Sequence, residues 1–504
     1  MDEKAYLNNR LIVVSNRLPV VISRTKKTGW HVKQGSGGLV TALAPVLKNR
    51  GGIWIGWTGN TGTTNDQINR LLKKEEKRIG FQLKTVPLSS VEKDRYYRGF
   101  SNEILWPLFH DFLSKCNFNP KYWDTYLSVN DKFARITREN LTENDFIWAH
   151  DYHLLGLASH LRDMGVKNNI GFFLHVPFPP PDIFIKLPWR FQILYFLLKY
   201  DIIGFQTVRD RTNFLQCVRY LIGHLHTRGK GRVQSIHYDG RDIRLGSFPI
   251  SIDYQEFANL ARSKEVSDAA WYLHEDLPNL KILFGIDRLD YTKGIPERLK
   301  AFRNALRRYP DLRGKITLVQ IVIPSRRGIT EYEALKQEIE QMISQINGEF
   351  TLSGWVPIHY MFRSLNRLDL LAYYRSAEIA LITPLKDGMN LIAKEYCASN
   401  IEQNGVLILS EFAGAAAQFQ KNALLVNPHD IEGTADAIYK AFTMDSAIRK
   451  ENMKKLRRKV RKFDIFWWVD SFLQSAISKN LVHFPLLEDC ILSIEDELNQ
   501  NISE

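Results

Sequence analysis

Short apolar runs rich in β-branched and aromatic residues recur along the chain, each bounded by Gly, Asn, Asp or Pro. In the first half they are "RLIVVSN" (10–16), "GIWIGW" (52–57), "DFIWAHD" (145–151), "IGFFLHVPF" (170–178), "YDIIGFQ" (200–206) and "IRLGSFPISI" (243–252). In the second half they are "KILFGIDRL" (281–289), "ITLVQIVIP" (316–324), "EIALITP" (378–384), "GVLILSEF" (405–412) and "ALLVNP" (423–428). Several are apolar at successive positions, the pattern of strands buried on both faces of a parallel sheet. Segments with helical spacing lie between them, among them 295–310 and 332–346. Strand–helix alternation of this kind predicts βαβ units and doubly wound sheets. It pauses over 253–280, which is polar and helical, and restarts at Lys281. The chain therefore reads as α/β with two Rossmann-like domains, about 1–255 and 256–465. Residues 466–504 are left for a C-terminal helix that crosses back to the first domain and an acidic tail. Ligands of such sheets sit beyond the carboxyl ends of the strands, so two facing domains would hold them in the cleft between.

A length of 504 residues exceeds one ordinary core and agrees with two domains. Composition is that of a globular protein, 44% hydrophobic and 24% charged. The net charge of +13 admits nucleic acid, an anionic membrane, phosphorylated small molecules or a merely solvated surface. The densest basic run, "RKENMKKLRRKVRKF" (449–463), alternates with Met, Leu and Val at helical spacing and reads as one solvated helix face. No nucleic-acid-binding module accompanies it. Cys116, Cys217, Cys397 and Cys490 stand apart with no CxxC pair, which argues against a zinc ribbon or disulfide framework and fits a reducing compartment. The N-terminal "MDEKAYLNNR" is unlike a signal peptide, and the most apolar stretch, 191–205, carries Lys199 and Asp201 and is too short to span a bilayer. A cytoplasmic protein without membrane contact is expected.

Candidate chemistry clusters just after strands. There is no G-x-x-x-x-G-K-[ST] loop, and "GSGGLV" (35–40) lacks the third glycine of a dinucleotide fingerprint. Arg17 follows the first strand, with Gly37 and Gly38 beyond; a guanidinium fork suits phosphate oxygens, although a local carboxylate partner would explain it equally well. Asp151 ends another strand between His150 and His153, and His175 ends the next before a stiff proline run. Arg288 and Lys293 share the loop ahead of a helix opened by Pro296, the arrangement of a diphosphate site. Arg326 and Arg327 follow the next strand. Finally "LKDGMNLIAKEY" (385–396) sets Asp387 and Gly388 at a helix start, where unpaired amides attract anions, with Glu395 further in. Taken alone, that stretch is equally an N-cap aspartate and a surface glutamate.

Together, "VVSNRLPV", "GGLVTAL", "GIWIGWTG", "YYRGFSNEILWPLFH", "WAHDYHLL", "GFFLHVPFP", "DRLDYTKGIPER", "TPLKDGMNLIAKEY" and "GVLILSEFAGAA" closely resemble the trehalose-6-phosphate synthase family, retaining glycosyltransferases of family 20 with the GT-B fold. The resemblance runs over about residues 10–470. It implies transfer of glucose from a nucleotide sugar to the anomeric hydroxyl of glucose 6-phosphate. The expected products are α,α-trehalose 6-phosphate, of use in osmoprotection, and a nucleoside diphosphate. Front-face attack is implied, with the leaving diphosphate oxygen taking the acceptor proton and no protein nucleophile. Carried over position by position, Arg17, Trp57, Tyr97, Trp106 and Arg326 match acceptor-binding residues, and Asp151 a residue contacting the acceptor. Gly38 matches a glycine close to the donor diphosphate, His175 a contact to the donor glucose, and Arg288 with Lys293 the diphosphate pair. Asp387 matches the carboxylate that bonds glucose hydroxyls, beside the amides of Gly388, Met389, Asn390 and Leu391, and Glu395 the ribose-binding carboxylate. Asp151, His175, Arg288, Lys293 and Asp387 form the implied catalytic set. No cofactor and no metal are implied.

Departures from the family pattern are few. "VISRTKKTGWHVKQ" (21–34) looks like a variable loop. "SRRG" leaves open whether Arg326 or Arg327 meets the acceptor phosphate. No D-x-D-G-T phosphatase motif is present, so a separate trehalose-phosphate phosphatase is the expected consumer of the product. UDP-glucose is the expected donor, with GDP- and ADP-glucose left open, as is a homo-oligomer. The alternatives are a glucosylglycerol-phosphate synthase and a non-catalytic sensor of sugar phosphate.

Overall fold

The computed structural model describes residues 10–25, 29–35, 38–62, 66–223, 225–325, 330–478 and 484. Two compact units divide the described residues: those up to Pro249 with those that follow Ile465, and Ile250–Ile465.

The first unit is built on a nine-stranded sheet. Its strands run, from one edge, Gln82–Thr85, Ile53–Trp57, Leu11–Arg17, Phe146–His150, Ile170–Phe173, Ile202–Phe205, Arg241–Ser247, Val233–Tyr238 and Thr227–Arg228. Pairing is parallel from Gln82–Thr85 through Arg241–Ser247 and antiparallel for the last two strands. Apart from the edge strand Gln82–Thr85, which is only partly buried and shows no apolar run, the parallel strands are the apolar runs of the sequence; Ile53–Trp57, Phe146–His150 and Ile170–Phe173 are buried throughout. Strand order reverses between Leu11–Arg17 and Phe146–His150, which makes the carboxyl ends of these two strands the switch point. The helix Ile465–Ile477 packs on this sheet, with Phe472 stacked on Trp148 (ring centroids 4.3 Å apart) and Trp468 beside it at 5.1 Å. Gly171 and Gly204 permit that approach, since a Cβ at either would crowd the Phe472 ring.

The described residues of 20–34 correct the loop expectation. Val20–Thr25 and Gly29–Gln34 pair as an antiparallel hairpin in register Val20 to Gln34. With Val21 exposed on one face, the hairpin needs only half of its side chains to be apolar, and so leaves no long hydrophobic run. "GSGGLV" consequently does follow a strand, and Gly38 opens the helix Gly38–Arg50.

The second unit carries six parallel strands in the order Ile358–Met361, Ile316–Ile323, Lys281–Arg288, Ile379–Ile382, Val406–Ser410 and Leu424–Val426. Leu283, Leu318, Leu381 and Ile408 of the sheet join Leu299, Phe302, Ile339 and Ile343 of its helices in a continuous core. Each such burial contributes about 1.5–3 kcal/mol relative to exposure. The switch point falls between Lys281–Arg288 and Ile379–Ile382. The basic helix Ser446–Lys462 is more than a solvated face: Arg457 is buried and donates to the carbonyls of Cys397 (2.9 Å), Ala398 (2.6 Å) and Asn400 (2.9 Å). Its charge thereby closes the C-terminal end of the helix Leu391–Ser399. Among the described residues, no helix is long and apolar enough to cross a membrane.

Candidate active site

In the first unit, Arg17 leaves the end of its strand at the switch point, exposed. Its guanidinium carbon lies 4.1 Å from the ring centroid of Trp57 and 5.5 Å from that of Tyr97. Two aromatic faces hold the fork in place without neutralising it. Trp57 is fully buried at the end of its own strand, and its indole donates to the carbonyl of Asn60 at 2.6 Å. Gly59 adopts φ +93°, a conformation that strains any other residue, and a Cβ there would displace the Arg17 guanidinium from its present place. Tyr97 belongs to the π-helical stretch Lys93–Leu105 and stacks on His153 with ring centroids 5.9 Å apart. Trp106 begins the next turn, its ring tilted against His110 with centroids 4.2 Å apart and 6.0 Å from Tyr152. The Tyr152 hydroxyl donates to Asn102, which donates in turn to the Tyr97 carbonyl. Arg17, Trp57, Tyr97 and Trp106 are thus joined through one aromatic and hydrogen-bonded wall.

Asp151 and His175 are adjacent. Asp151 stands at φ 74°, a conformation that costs a non-glycine residue of order 1 kcal/mol or more and recurs at functional sites. It is held there because its amide donates to the Phe173 carbonyl (2.8 Å) while its carboxylate accepts the His175 amide (3.2 Å). Burial pushes the His175 imidazole down to about 3, so it is neutral at physiological pH. A ring nitrogen of His150 lies 3.2 Å from it. Gly38 stands at the first residue of its helix. Arg326 lies outside the described residues, as does Arg327.

In the second unit, Arg288 ends its strand exposed, and Lys293 follows in a tight turn whose N-cap is Asp290. Lys293 is buried, and its Nζ meets Asp387 Oδ2 at 2.7 Å. The sequence reading gave Lys293 to a diphosphate and Asp387 to a sugar; without ligand, each is the other's counter-ion. The segment after Asp387 is stitched to residues 412–415. The Asp387 amide donates to Phe412 and the Ala415 amide to Met389, and Gly414 is tight enough that a Cβ would strike the Gly388 carbonyl. Asn390 holds φ 76° and, rather than Asp387, is the N-cap: its Oδ1 accepts from the Ala393 amide (3.1 Å) and its Nδ2 donates to Asp387 (3.2 Å). The N-cap reading of Asp387 is therefore set aside. Glu395 lies one turn into the helix Leu391–Ser399 and accepts from the Tyr374 hydroxyl at 2.8 Å. Burial raises its carboxyl pKa, with the Tyr374 hydrogen bond opposing. Its neighbour Lys394 is 1% exposed and donates to the Ile250 carbonyl at 2.8 Å. Beneath the site, Asp287 and Arg298 form a buried ion pair at 2.7 Å. Among the described residues, no three His, Cys, Asp or Glu side chains are grouped so as to hold a metal.

Sequence reasoning gave no role to His150, Tyr374 or Arg457, and took Asn390 only for its backbone amide, not as the N-cap. The unusual "WAHDYHLL" spacing was the available signal for His150; the others are set by partners distant in sequence.

Two doubly wound parallel sheets, each with cationic and carboxylate side chains at its switch point, belong to the class of GT-B glycosyltransferases. A family model described as Glycosyltransferase family 20 matches residues 9–478, and the chain belongs to that family. The trehalose-6-phosphate synthase of Mycolicibacterium vanbaalenii is 41% identical over 94% of this chain and 96% of its own. A crystal structure of the Burkholderia xenovorans α,α-trehalose-phosphate synthase (UDP-forming) with glucose 6-phosphate has TM-score 0.83 and 34% identity, covering 93% of this chain and 100% of that one. The Escherichia coli enzyme bound with UDP-2-fluoro glucose has TM-score 0.83 and 36% identity, covering 94% and 100%.

Proposed function

We propose that the chain is a UDP-forming α,α-trehalose-phosphate synthase, which moves glucose with retention from UDP-glucose to glucose 6-phosphate. The carrying observation is the turn Asp387–Leu391, tied to Lys293 at the switch point of the second sheet. There a helix start, a lysine and a carboxylate meet the requirements of a diphosphate joined to a sugar. Arg288, Lys293 and the first-turn amides stabilise the leaving diphosphate, the group on which negative charge grows. Asp387 holds glucose hydroxyls, and Glu395, positioned by Tyr374, takes the ribose. Because Lys293 and Asn390 both engage Asp387, that carboxylate suits a clamp better than a covalent nucleophile, which agrees with front-face transfer. The diphosphate oxygen accepts the proton of the acceptor's anomeric hydroxyl as the new glycosidic bond forms. Gly38 approaches the diphosphate and His175 the donor glucose.

On the acceptor side, Arg17 binds the phosphate of glucose 6-phosphate, with Trp57 and Tyr97 fixing its fork. Trp106, Asp151 and Arg326 complete that half. On this reading the protein works in the cytoplasm, without metal, nucleic acid or membrane, and a separate phosphatase consumes the product. The relatives carry synthase names, which does not favour the glucosylglycerol-phosphate or the non-catalytic alternative. The test is nucleotide release across UDP-, GDP- and ADP-glucose with glucose 6-phosphate or glycerol 3-phosphate. Release is expected with UDP-glucose and glucose 6-phosphate; release only with glycerol 3-phosphate, or none at all, overturns the proposal.

A further inference from the structure

His150 is 1% exposed at the end of its strand, packed against Trp148 at 4.8 Å between ring centroids. Its Nδ1 lies 3.2 Å from Nε2 of His175. Its other nitrogen, Nε2, is buried with no hydrogen-bond partner among the described residues. Both imidazoles are held neutral, since burial depresses the pKa of each. One proton is therefore shared between two facing nitrogens, and its owner decides both tautomers. If His175 donated, His150 would have to carry its own proton on the buried, unpartnered Nε2. If His150 donates, that Nε2 is a bare lone pair. Orphaned buried N–H groups are rarer in folded proteins than under-satisfied acceptors, so the second arrangement is the more stable.

We infer that His150 is a positioning residue: its Nδ1–H donates to His175 Nε2 and fixes His175 as the Nδ1–H tautomer. His175 then turns a hydrogen-bond donor, not an acceptor, toward its ligand. His175 as a residue keeps partial exposure, and its amide is tied to the Asp151 carboxylate, so backbone and ring are both set before a ligand arrives. The matching ligand atom is a hydroxyl oxygen acting as acceptor. This step rests on reading His175 as a contact to the donor glucose.

Long-range 1H–15N correlation of histidine-labelled full-length protein reads the tautomer directly, with His175 assigned by its loss in His175→Gln. A protonated Nδ1 and bare Nε2 on His175 are expected; the opposite tautomer overturns the inference. His150→Phe keeps the aromatic packing and removes the donor, whereas His150→Asn returns an N–H close to the former Nδ1. The Phe variant is expected to give a mixture of His175 tautomers and about tenfold lower kcat/KM for UDP-glucose with the acceptor KM unchanged. The Asn variant is expected to restore both signals in large part. An unchanged His175 tautomer in the Phe variant overturns the role of His150. A changed tautomer with unchanged kinetics upholds that role and refutes the placing of His175 on the donor sugar.

Discussion

Removing the Asp387 carboxylate separates what the Lys293–Asp387 pair does for the fold from what it does for the reaction. The two charges are 2.7 Å apart, and their side chains are only 10% and 16% exposed. Deleting one partner of a buried pair leaves an uncompensated charge and costs about 3–5 kcal/mol. Residual solvent access at both groups argues for the lower end, about 3 kcal/mol. In a unit of this size, each kcal/mol lowers the melting temperature by about 2–4 °C. Asp387→Ala should then lower the calorimetric transition of the Ile250–Ile465 unit by about 6–12 °C. Lys293→Met in the same chain removes the orphaned charge and should recover most of that loss. Activity should behave differently, because both single variants and the double variant lose donor turnover. If the double variant melts as low as Asp387→Ala, the pair is not the source of the destabilisation and the reasoning fails. Recovery of activity along with stability would show that Asp387 has no part in binding the donor.

Three further predictions follow from other parts of the site. Arg17→Ala should raise the acceptor KM about 10–100-fold, the worth of a lost charged hydrogen bond, with little change for donor; a larger donor effect would reverse the assignment of the two halves. Burial lowers the Lys394 pKa to about 7, so the folded state resists protonation of this amine more than the unfolded chain does. Its contribution to stability is therefore full above the unfolded value and shrinks as pH falls toward about 7; melting temperature relative to Lys394→Met should rise between pH 7 and the ordinary lysine range, and a constant gap would refute the shift. Tyr374→Phe removes the hydroxyl donated to Glu395 and should raise the donor KM while leaving the acceptor KM alone, as read from two-substrate kinetics; a change confined to the acceptor would take Glu395 out of the donor site.

Most of the parallel strands were legible because a strand covered on both faces must be apolar at every position; the edge strands Gln82–Thr85 and Ile358–Met361, only partly buried, were not. "RLIVVSN" became Leu11–Arg17, and "KILFGIDRL" became Lys281–Arg288, each flanked by a strand on both sides. The hairpin of residues 20–34 and the π-helical Lys93–Leu105 were not legible, since neither follows the periodicity of an ordinary strand or helix. For the candidate site, residue type and place after a strand singled out Arg17, Asp151, His175, Arg288, Lys293 and Asp387 as candidates with a structural reading still open, and their roles came from the family resemblance. What they bond to was hidden. A position tells where a side chain leaves the backbone, whereas the partner is decided by which strands lie next to each other. Lys293 meeting Asp387 and His150 meeting His175 depend on that adjacency, and Arg457 closing the helix of Glu395 depends on how two helices pack.

The central claim, that this chain joins two glucose units through their anomeric carbons, is tested most directly by the product. Purified protein is incubated with UDP-glucose and 13C-labelled glucose 6-phosphate, and the anomeric signals are followed by NMR. A single disaccharide phosphate with both anomeric centres in the α configuration is expected, formed in step with UDP. A β-configured donor residue, a linkage through any other hydroxyl, or UDP release without disaccharide would contradict it.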